Sequence, residues 1–191
     1  WSSDVCSSDL LGYAALSNIS IRNIAHQYME EMSQYVQAPV AMATRDRLNM
    51  VYIDVVQIET ALNMRRPIGS TLPLHSSSMG RACLAATPER ERNFLLDALK
   101  QKNPENWPAI KRSLERAFRD YQDYGYCLSL GEWHKEVNSV AVPLVSSKHG
   151  LYVFNCGAPS FHLNPEKLEG EIGPRLIHMV HNIQDALNET H

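Results

Sequence analysis

The spacing of apolar residues divides the chain into helical and extended segments. From Ser20, a residue type favoured at helix N-caps, apolar side chains recur at helical spacing as far as Val36. The same spacing predicts a helix opened by Pro108 and stopped by Gly125, and a last helix opened by Pro174. Each of these helices would bury one apolar stripe against another element.

Segments rich in β-branched residues lie between these helices. Residues 51–58 predict a strand that follows a turn at residues 46–49. Residues 64–74 contain two prolines and a glycine, and they predict a strand edge followed by a loop. Residues 137–145 and 151–156 predict two strands joined by a short turn. This order of elements predicts an α+β domain, in which helices pack on an antiparallel sheet.

Composition and charge narrow the class of protein. The 191 residues are 44% apolar and 20% charged, which is typical of one globular domain. The formal net charge of −3 argues against binding of a polyanion by this part alone. No apolar run approaches the length that spans a bilayer, and no signal peptide is evident. We therefore expect a cytoplasmic protein without a membrane partner.

The first ten residues are unusual. Residues 1–10 begin with Trp1 rather than methionine and contain Ser-Ser-Asp twice. We interpret them as a non-native leader and exclude them from the predicted fold. We also expect the natural N-terminal part of the protein to be absent.

The spacing of cysteines and histidines gives no strong prediction of a metal site or a disulfide. The four cysteines lie far apart without a C-x-x-C pair, which is typical of buried apolar cysteines. His178, His181 and Asp185 would share one face of the last helix and could hold a metal ion. A polar stripe facing solvent explains the same spacing, so neither a metal nor another cofactor is expected.

Motifs of catalysis are missing from the sequence. It contains no G-x-S-x-G elbow, P-loop, dinucleotide-binding glycine motif or H-E-x-x-H. Arg81 stands three residues after Ser78, where a lysine could serve as a base, but a guanidinium stays protonated. His75 and Ser76 are adjacent, yet adjacency does not provide the geometry of a nucleophile and its base. The chain is therefore not expected to be an enzyme.

The start of one predicted helix suggests a ligand site. Serines at positions 76–78 stand at the start of the helix predicted over residues 77–86. Their hydroxyls would lie beside backbone N–H groups without an intrahelical acceptor, an arrangement that can bind a carboxylate. Gly80 and Ala82 would allow another element to approach the first turns closely. Ordinary helix capping is the alternative interpretation of the same serines.

Four segments resemble the effector-binding domain of IclR-type bacterial transcription regulators. Residues 74–86 (LHSSSMGRACLAA) are similar to the family's P-L-H-x-S-x-x-G-K-A-x-L-A stretch. Residues 125–143 resemble its G-Y-x-x-x-x-x-E…G-V-x-x-x-A-A-P-V pattern, and residues 151–159 resemble its final sheet strand. Residues 11–16 (LGYAAL) are similar to the exit from the family's winged-helix domain. The resemblance extends in order over residues 11–190.

The resemblance implies a GAF-like domain, with a curved antiparallel sheet flanked by helices and an effector pocket on one side. After the leader at residues 1–10, it places the winged-helix exit and linker helix at residues 11–36. The effector-binding domain would then occupy residues 37–190. The resemblance further implies a small organic acid as effector and a homodimer or homotetramer. DNA would be bound only by a winged helix-turn-helix that is absent from this chain.

The resemblance also implies effector-binding positions, one by one. They are Ser78 and Met79, through their backbone N–H groups, and Ser129, Ser139, Phe154 and Cys156. Ser129 replaces an acidic residue of the family, and Phe154 and Cys156 replace two serines, so the pocket is expected to be less polar. Asn155 would point to the opposite face, because side chains alternate along a strand. We therefore expect an aromatic or partly apolar carboxylate rather than a very small keto acid.

Two other functions are compatible with the sequence. An enzyme on the same GAF-like scaffold would use His75 or Cys156 and would turn over a carboxylic substrate. A pure dimerisation module would show no response to any ligand. Similarity of fold alone does not separate these functions from ligand sensing.

Overall fold

A computed structural model describes residues 5–57 and 67–189, with side chains from residue 20 onwards. Its helices are α1 Val5–Val36, α2 Ser78–Ala86, α3 Glu89–Lys102, α4 Trp107–Tyr124, α5 Pro165–Lys167 and α6 Gly173–Glu189. A π-helical turn, Leu168–Ile172, joins α5 to α6. Its strands are β1 Val40–Asp46, β2 Asn49–Val56, β3 Thr71–Pro73, β4 Cys127–Leu130, β5 Val137–Ser146 and β6 Gly150–Pro159.

The strands form one antiparallel sheet in the order β3-β2-β1-β6-β5-β4. Helices α1 and α6 contribute to an apolar core on one face of this sheet. Helices α2, α3 and α4 contribute to a second core on the other face. This arrangement confirms the expected α+β fold, a GAF-like curved antiparallel sheet flanked by helices.

Alternation along the central strands assigns neighbouring residues to different cores. Val142 on β5 pairs with Phe154 on β6, and both belong to the core under α1 and α6. Ala141 pairs with Asn155, and this pair faces α2. The residues that face α2 include several small ones, namely Ala41, Ala43, Ala141 and Gly157. Their small volume allows the helix to pack closely on the sheet.

Local sequence signals predicted several helix ends correctly. Ser77 is the N-cap of α2, and its side chain accepts the backbone N–H of Gly80. Pro108 lies in the first turn of α4. Gly125 ends that helix in the left-handed conformation, with φ of 82°, which glycine adopts without strain. α6 begins at Gly173, directly before the predicted Pro174.

One predicted boundary is wrong, and another lies partly outside the described residues. α1 begins at Val5, so Ser20 is inside the helix rather than its N-cap, and part of the excluded leader is helical. No proline interrupts this segment, and a helix interior tolerates serine at small cost. The strand edge predicted at the start of residues 64–74 falls on residues 64–66, which belong to the stretch 58–66 outside the described part of the chain. In the described part of this segment, a turn at residues 68–69 is followed by the edge strand β3.

Three short elements were not predicted. They are β4, α5 and the π-helical turn before α6. β4 has four residues, too few for a clear period of two, and it exists because it pairs with β5. This pairing brings Ser129 opposite Ser139.

Candidate functional site

A cavity lies between the sheet and the first turn of α2. It contains about 530 Å³ of space free of protein atoms, and part of this space is open to solvent. Its polar lining comes from Gln57, Ser77, Ser78, Ser139 and Asn155. Its largely apolar lining includes Ala41, Tyr52, Val55, Leu72 and Trp133. Within the described part of the chain no ionised side chain lines it, so a bound charge would meet hydroxyls, amides and backbone N–H groups.

Two consecutive serines at the start of α2 have different roles. The Ser77 hydroxyl accepts the N–H of Gly80 at 3.1 Å and donates to the carbonyl of Pro73 at 2.7 Å. Ser78 is 1% exposed, and its Oγ lies 2.8 Å from Oγ of Ser139 on β5. Ser77 therefore caps the helix, whereas the Ser78–Ser139 pair joins the first turn of α2 to the sheet at the cavity wall.

The structure brings only two of the six implied positions together in the cavity, Ser78 and Ser139. Met79 is fully buried in the core beneath α2, and its side chain does not line the cavity. Ser129 shares a sheet face with Ser139, but its hydroxyl donates to the carbonyl of Ser76 at 2.9 Å. Ser129 therefore holds the loop before α2 instead of lining the cavity.

Phe154 and Cys156 were predicted as pocket residues, but they lie on the other face of the sheet from this cavity. Both are 0% exposed in the core under α1 and α6. Their partners on β5 are Val142 and Val140, and Val140 is the neighbour of Ser139. Directly paired residues share a face and neighbours along a strand do not, so neither side chain can reach the face of Ser139. The apolar wall of the cavity comes from other residues.

Asn155 and Trp133 line the cavity but were not predicted to do so. Alternation correctly predicted that Asn155 and Phe154 point to opposite faces of the sheet, but the pocket was assigned to the face of Phe154. Trp133 lies in the connection between β4 and β5, where no periodic pattern indicates which way a side chain points. If Ser139 is assigned to the cavity face, Asn155 follows, because every second residue pair of β5 and β6 points to the same face. Ser139 pairs with Gly157, and the second pair along, Ala141 with Asn155, faces the cavity as well.

A bulge in β2 brings Tyr52 and Val55 to the cavity. The register of β2 with β1 skips Ile53, so alternation is interrupted between Tyr52 and Asp54. Tyr52 and Val55 consequently line the cavity, while Ile53 packs against the core on the opposite face. The sequence of β2 carries no signal for this bulge, because the bulge contains no glycine or proline.

The side chains proposed for an enzyme do not meet in this cavity. Burial raises the pKa of the Cys156 thiol to about 12, and its side chain is fully buried. Burial first, and then the charges of Arg81 and Lys102, lower the pKa of His75, which also does not line the cavity. The histidines of α6 are exposed, and no group of three metal-binding side chains occurs in the part of the chain that is described. These placements do not support an enzyme that uses His75 or Cys156.

A cavity between a sheet and a helix start, lined by uncharged side chains among the described residues, is typical of a site that recognises a small molecule by shape and hydrogen bonds. The family described as bacterial transcriptional regulator IclR C-terminal matches residues 13–184, and the chain belongs to this family. The family and the related proteins are transcription regulators, not enzymes. None of the described helices is long and apolar enough to cross a membrane.

Solved structures and curated regulators agree on this family. The crystal structure of an IclR family transcriptional regulator from Brucella abortus is 62% identical, with a TM-score of 0.87 over 94% of this chain and 68% of that chain. The transcriptional regulator TsaQ1/TsaQ2 from Comamonas testosteroni is 29% identical over 91% of this chain and 64% of its own length. The inducer-binding domain of PobR from Acinetobacter, a double mutant in complex with 3-hydroxybenzoic acid, has a TM-score of 0.68 at 17% identity, over 84% of this chain and 95% of that domain. The chain spans less than two thirds of the length of the curated relatives it matches.

Proposed function

We propose that this chain is a sensory domain whose effector is an aromatic or partly apolar carboxylate. The observation that carries the proposal is the buried Ser78–Ser139 pair at the start of α2, facing a partly aromatic wall whose described side chains are uncharged. Effector binding would control how tightly an upstream winged helix-turn-helix domain binds DNA, in the cytoplasm. A homodimer or homotetramer is proposed as the assembly, as the family resemblance implies.

The carboxylate of the effector is proposed to lie at the first turn of α2. The first backbone N–H groups of a helix have no intrahelical acceptor, and the helix dipole adds partial positive charge there. The hydroxyls of Ser78 and Ser139 can each rotate to donate to a carboxylate oxygen. Since the described cavity lining holds no ionised group, these donors would carry the recognition of the charge.

The body of the effector is proposed to lie against Tyr52, Leu72 and Trp133. Aromatic side chains in a cavity wall favour a flat ring through offset-stacked or edge-to-face contacts. Asn155 and Gln57 provide amides that could bind a polar ring substituent. The 3-hydroxybenzoic acid complex of the PobR domain supports hydroxylated benzoates as the first class to test.

Ser78→Ala is expected to weaken the binding of benzoate and its monohydroxy derivatives by roughly tenfold, because a hydrogen bond to a charged oxygen is lost. The variant also leaves the hydroxyl of Ser139 without its buried partner, so the free energy of unfolding should fall by about 1 kcal/mol. Isothermal titration calorimetry measures the affinity, and thermal unfolding measures the stability. Thr87→Val is the matched control, because it removes a buried hydroxyl that donates to the carbonyl of Cys83 at 2.7 Å, and Thr87 does not line the cavity. The control should bind with unchanged affinity.

Thermal-shift screening of aromatic acids against small keto acids tests the class of effector. Preferential stabilisation by pyruvate or glyoxylate would contradict an aromatic effector. Stabilisation by no carboxylate at all would contradict the proposed site and would favour the dimerisation module. A stabilising benzoate whose affinity is equal in Ser78→Ala and the unaltered chain would place the carboxylate elsewhere.

A buried carboxylate connects the cavity wall to α1. Asp54 lies between Tyr52 and Val55 on β2, but it points to the opposite face and is 2% exposed. Its Oδ2 lies 2.6 Å from Nδ1 of His26 and 3.6 Å from Nε of Arg22, both on α1. The cavity wall and α1 are thus attached to the same short stretch of β2. We propose that α1, as the linker helix, receives the effector signal through this contact.

Asp54→Asn is expected to uncouple α1 from the cavity while leaving effector affinity nearly unchanged. The amide keeps the shape of the side chain but removes the charge that faces Arg22. Hydrogen exchange of α1 amides, with and without the best-binding benzoate, should show a ligand effect that is smaller in the variant. Glu30→Gln is the matched control, since it neutralises a carboxylate 3.5 Å from Nε2 of the same His26. Equal ligand effects in both variants would contradict this route.

A further inference from the structure

One wall of the cavity is carried by the six-residue connection between β4 and β5, residues 131–136. Two backbone hydrogen bonds close the ends of this connection. The N–H of Gly131 donates to the carbonyl of Val137 at 3.1 Å, and the N–H of Val137 donates to the carbonyl of His134 at 2.9 Å. Gly131 has φ of 77°, a conformation that favours glycine. Trp133, near the middle of the connection, lines the cavity. The indole also packs against the core under α2, so its position depends on that contact and on what holds the connection in place.

Glu132, next to Trp133, is the side chain that attaches the connection to the helical layer. Its Oε1 lies 3.1 Å from Nη1 of Arg81 and 2.6 Å from Nη2 of Arg116. Its Oε2 accepts the backbone N–H of Leu130. One carboxylate thus joins α2, α4 and the end of β4.

Arg81 is a rigid anchor for this carboxylate. Its side chain is only 3% exposed. Nη1 also donates to the carbonyl of Leu128 at 2.8 Å, and Nη2 donates to Oγ of Ser113 at 2.6 Å. A guanidinium held by several acceptors loses little further freedom when it pairs with Glu132. Arg81 lies on α2 three residues after Ser78. The same helix therefore carries the proposed carboxylate-binding serine and the arginine that holds the connection with Trp133.

We propose that Glu132 is a positioning residue that holds Trp133 closed over the cavity and thereby sets the affinity for a flat effector. This inference rests on the proposed function, because it assigns Trp133 to the wall of that same site. A connection released from Arg81 would have to be ordered again when a ligand binds, and ordering of a side chain and its loop lowers affinity. Glu132 itself does not line the cavity and need not touch the ligand.

The test compares Glu132→Gln with Glu91→Gln in a background that carries Trp1→Phe and Trp107→Phe. The chain has three tryptophans, so this background leaves Trp133 as the only one. Glu91→Gln is the matched control, because it makes the same change in a surface ion pair with Arg45, on α3 and away from the cavity. Acrylamide quenching and the emission maximum of Trp133 are measured without ligand. The affinity for benzoate and its monohydroxy derivatives is then measured by calorimetry.

In Glu132→Gln we expect a red-shifted Trp133 emission, stronger quenching and a roughly tenfold loss of affinity, with all three quantities unchanged in Glu91→Gln. Glu132→Asp, which keeps the charge on a shorter side chain, should recover part of the protection of Trp133. Equal quenching in Glu132→Gln and the control would overturn the proposal, as would an exposed Trp133 with unchanged affinity. Failure of every acid to bind the unaltered chain would contradict the proposed function, while the quenching comparison still tests the hold of Glu132 on the connection. A purely structural role would lower the melting temperature without exposing Trp133 in the folded protein.

Discussion

Phe154→Ala is expected to lower the free energy of unfolding by about 4 kcal/mol. The ring is 0% exposed in the core under α1 and α6. On the sheet it lies between Met42 of β1 and Val142 of β5, its partners in the two neighbouring strands. Truncation removes the transfer free energy of the ring and leaves a space that these neighbours fill only in part. Urea denaturation followed by circular dichroism measures the change.

Asn155→Ala is the comparison for this variant, because it alters the next residue on the cavity side of the same strand. We expect it to cost about 1 kcal/mol of stability and to weaken benzoate binding. Phe154→Ala, while still folded, should bind benzoate with nearly the affinity of the unaltered chain. A larger loss of affinity in Phe154→Ala than in Asn155→Ala would contradict the assignment of the two sheet faces.

Gly80→Ala is expected to lower the free energy of unfolding by about 3 kcal/mol and to abolish effector binding. A Cβ at Gly80 would lie 2.2 Å from the carbonyl oxygen of Leu74 and 2.5 Å from its Cα. These are backbone atoms, and the N–H of Leu74 is bound to the carbonyl of Leu48 at 3.1 Å, so they cannot rotate away. The first turn of α2 would have to move outward, and Ser78 would move with it.

Gly170→Ala provides the control for this substitution, because a Cβ there meets nothing within 4 Å. Gly170 has no left-handed backbone conformation, so alanine should be neutral or slightly stabilising. Chemical denaturation and calorimetry on both variants separate a general effect of glycine removal from the contact at Leu74. A stability of Gly80→Ala within about 1 kcal/mol of the unaltered chain would show that α2 packs less closely than described.

Helix ends and the central hairpin could be predicted from the sequence because they depend on residues close together in the chain. Ser77 caps α2 through the N–H of Gly80, three residues later. Gly125 ends α4 because it adopts a left-handed backbone conformation that costs other residues energy. The β5–β6 hairpin follows from two β-branched segments around a short turn.

The faces of the strands could not be predicted in the same way. Alternation separated Asn155 from Phe154 correctly, but helices cover both faces of this sheet, so burial does not tell one face from the other. The register that places Ser139 opposite Gly157 rather than Cys156 excludes Cys156 from the cavity. The family resemblance supplied the fold and the serine-rich helix start, but carrying residues over by position assigned a core phenylalanine to the pocket.

By itself, the sequence determined the α+β class, the serine-capped start of α2 and the lack of a catalytic motif. Only the tertiary structure decided which residues meet that helix start: the bulge at Ile53, the register of β5 with β6, and the connection that carries Trp133. The physical reason is the range of the interactions. Caps and turns are determined by neighbours in the chain, whereas the cavity wall is assembled from β2, β5, β6 and residues 131–136. Those segments meet only through strand order, register and packing across the sheet.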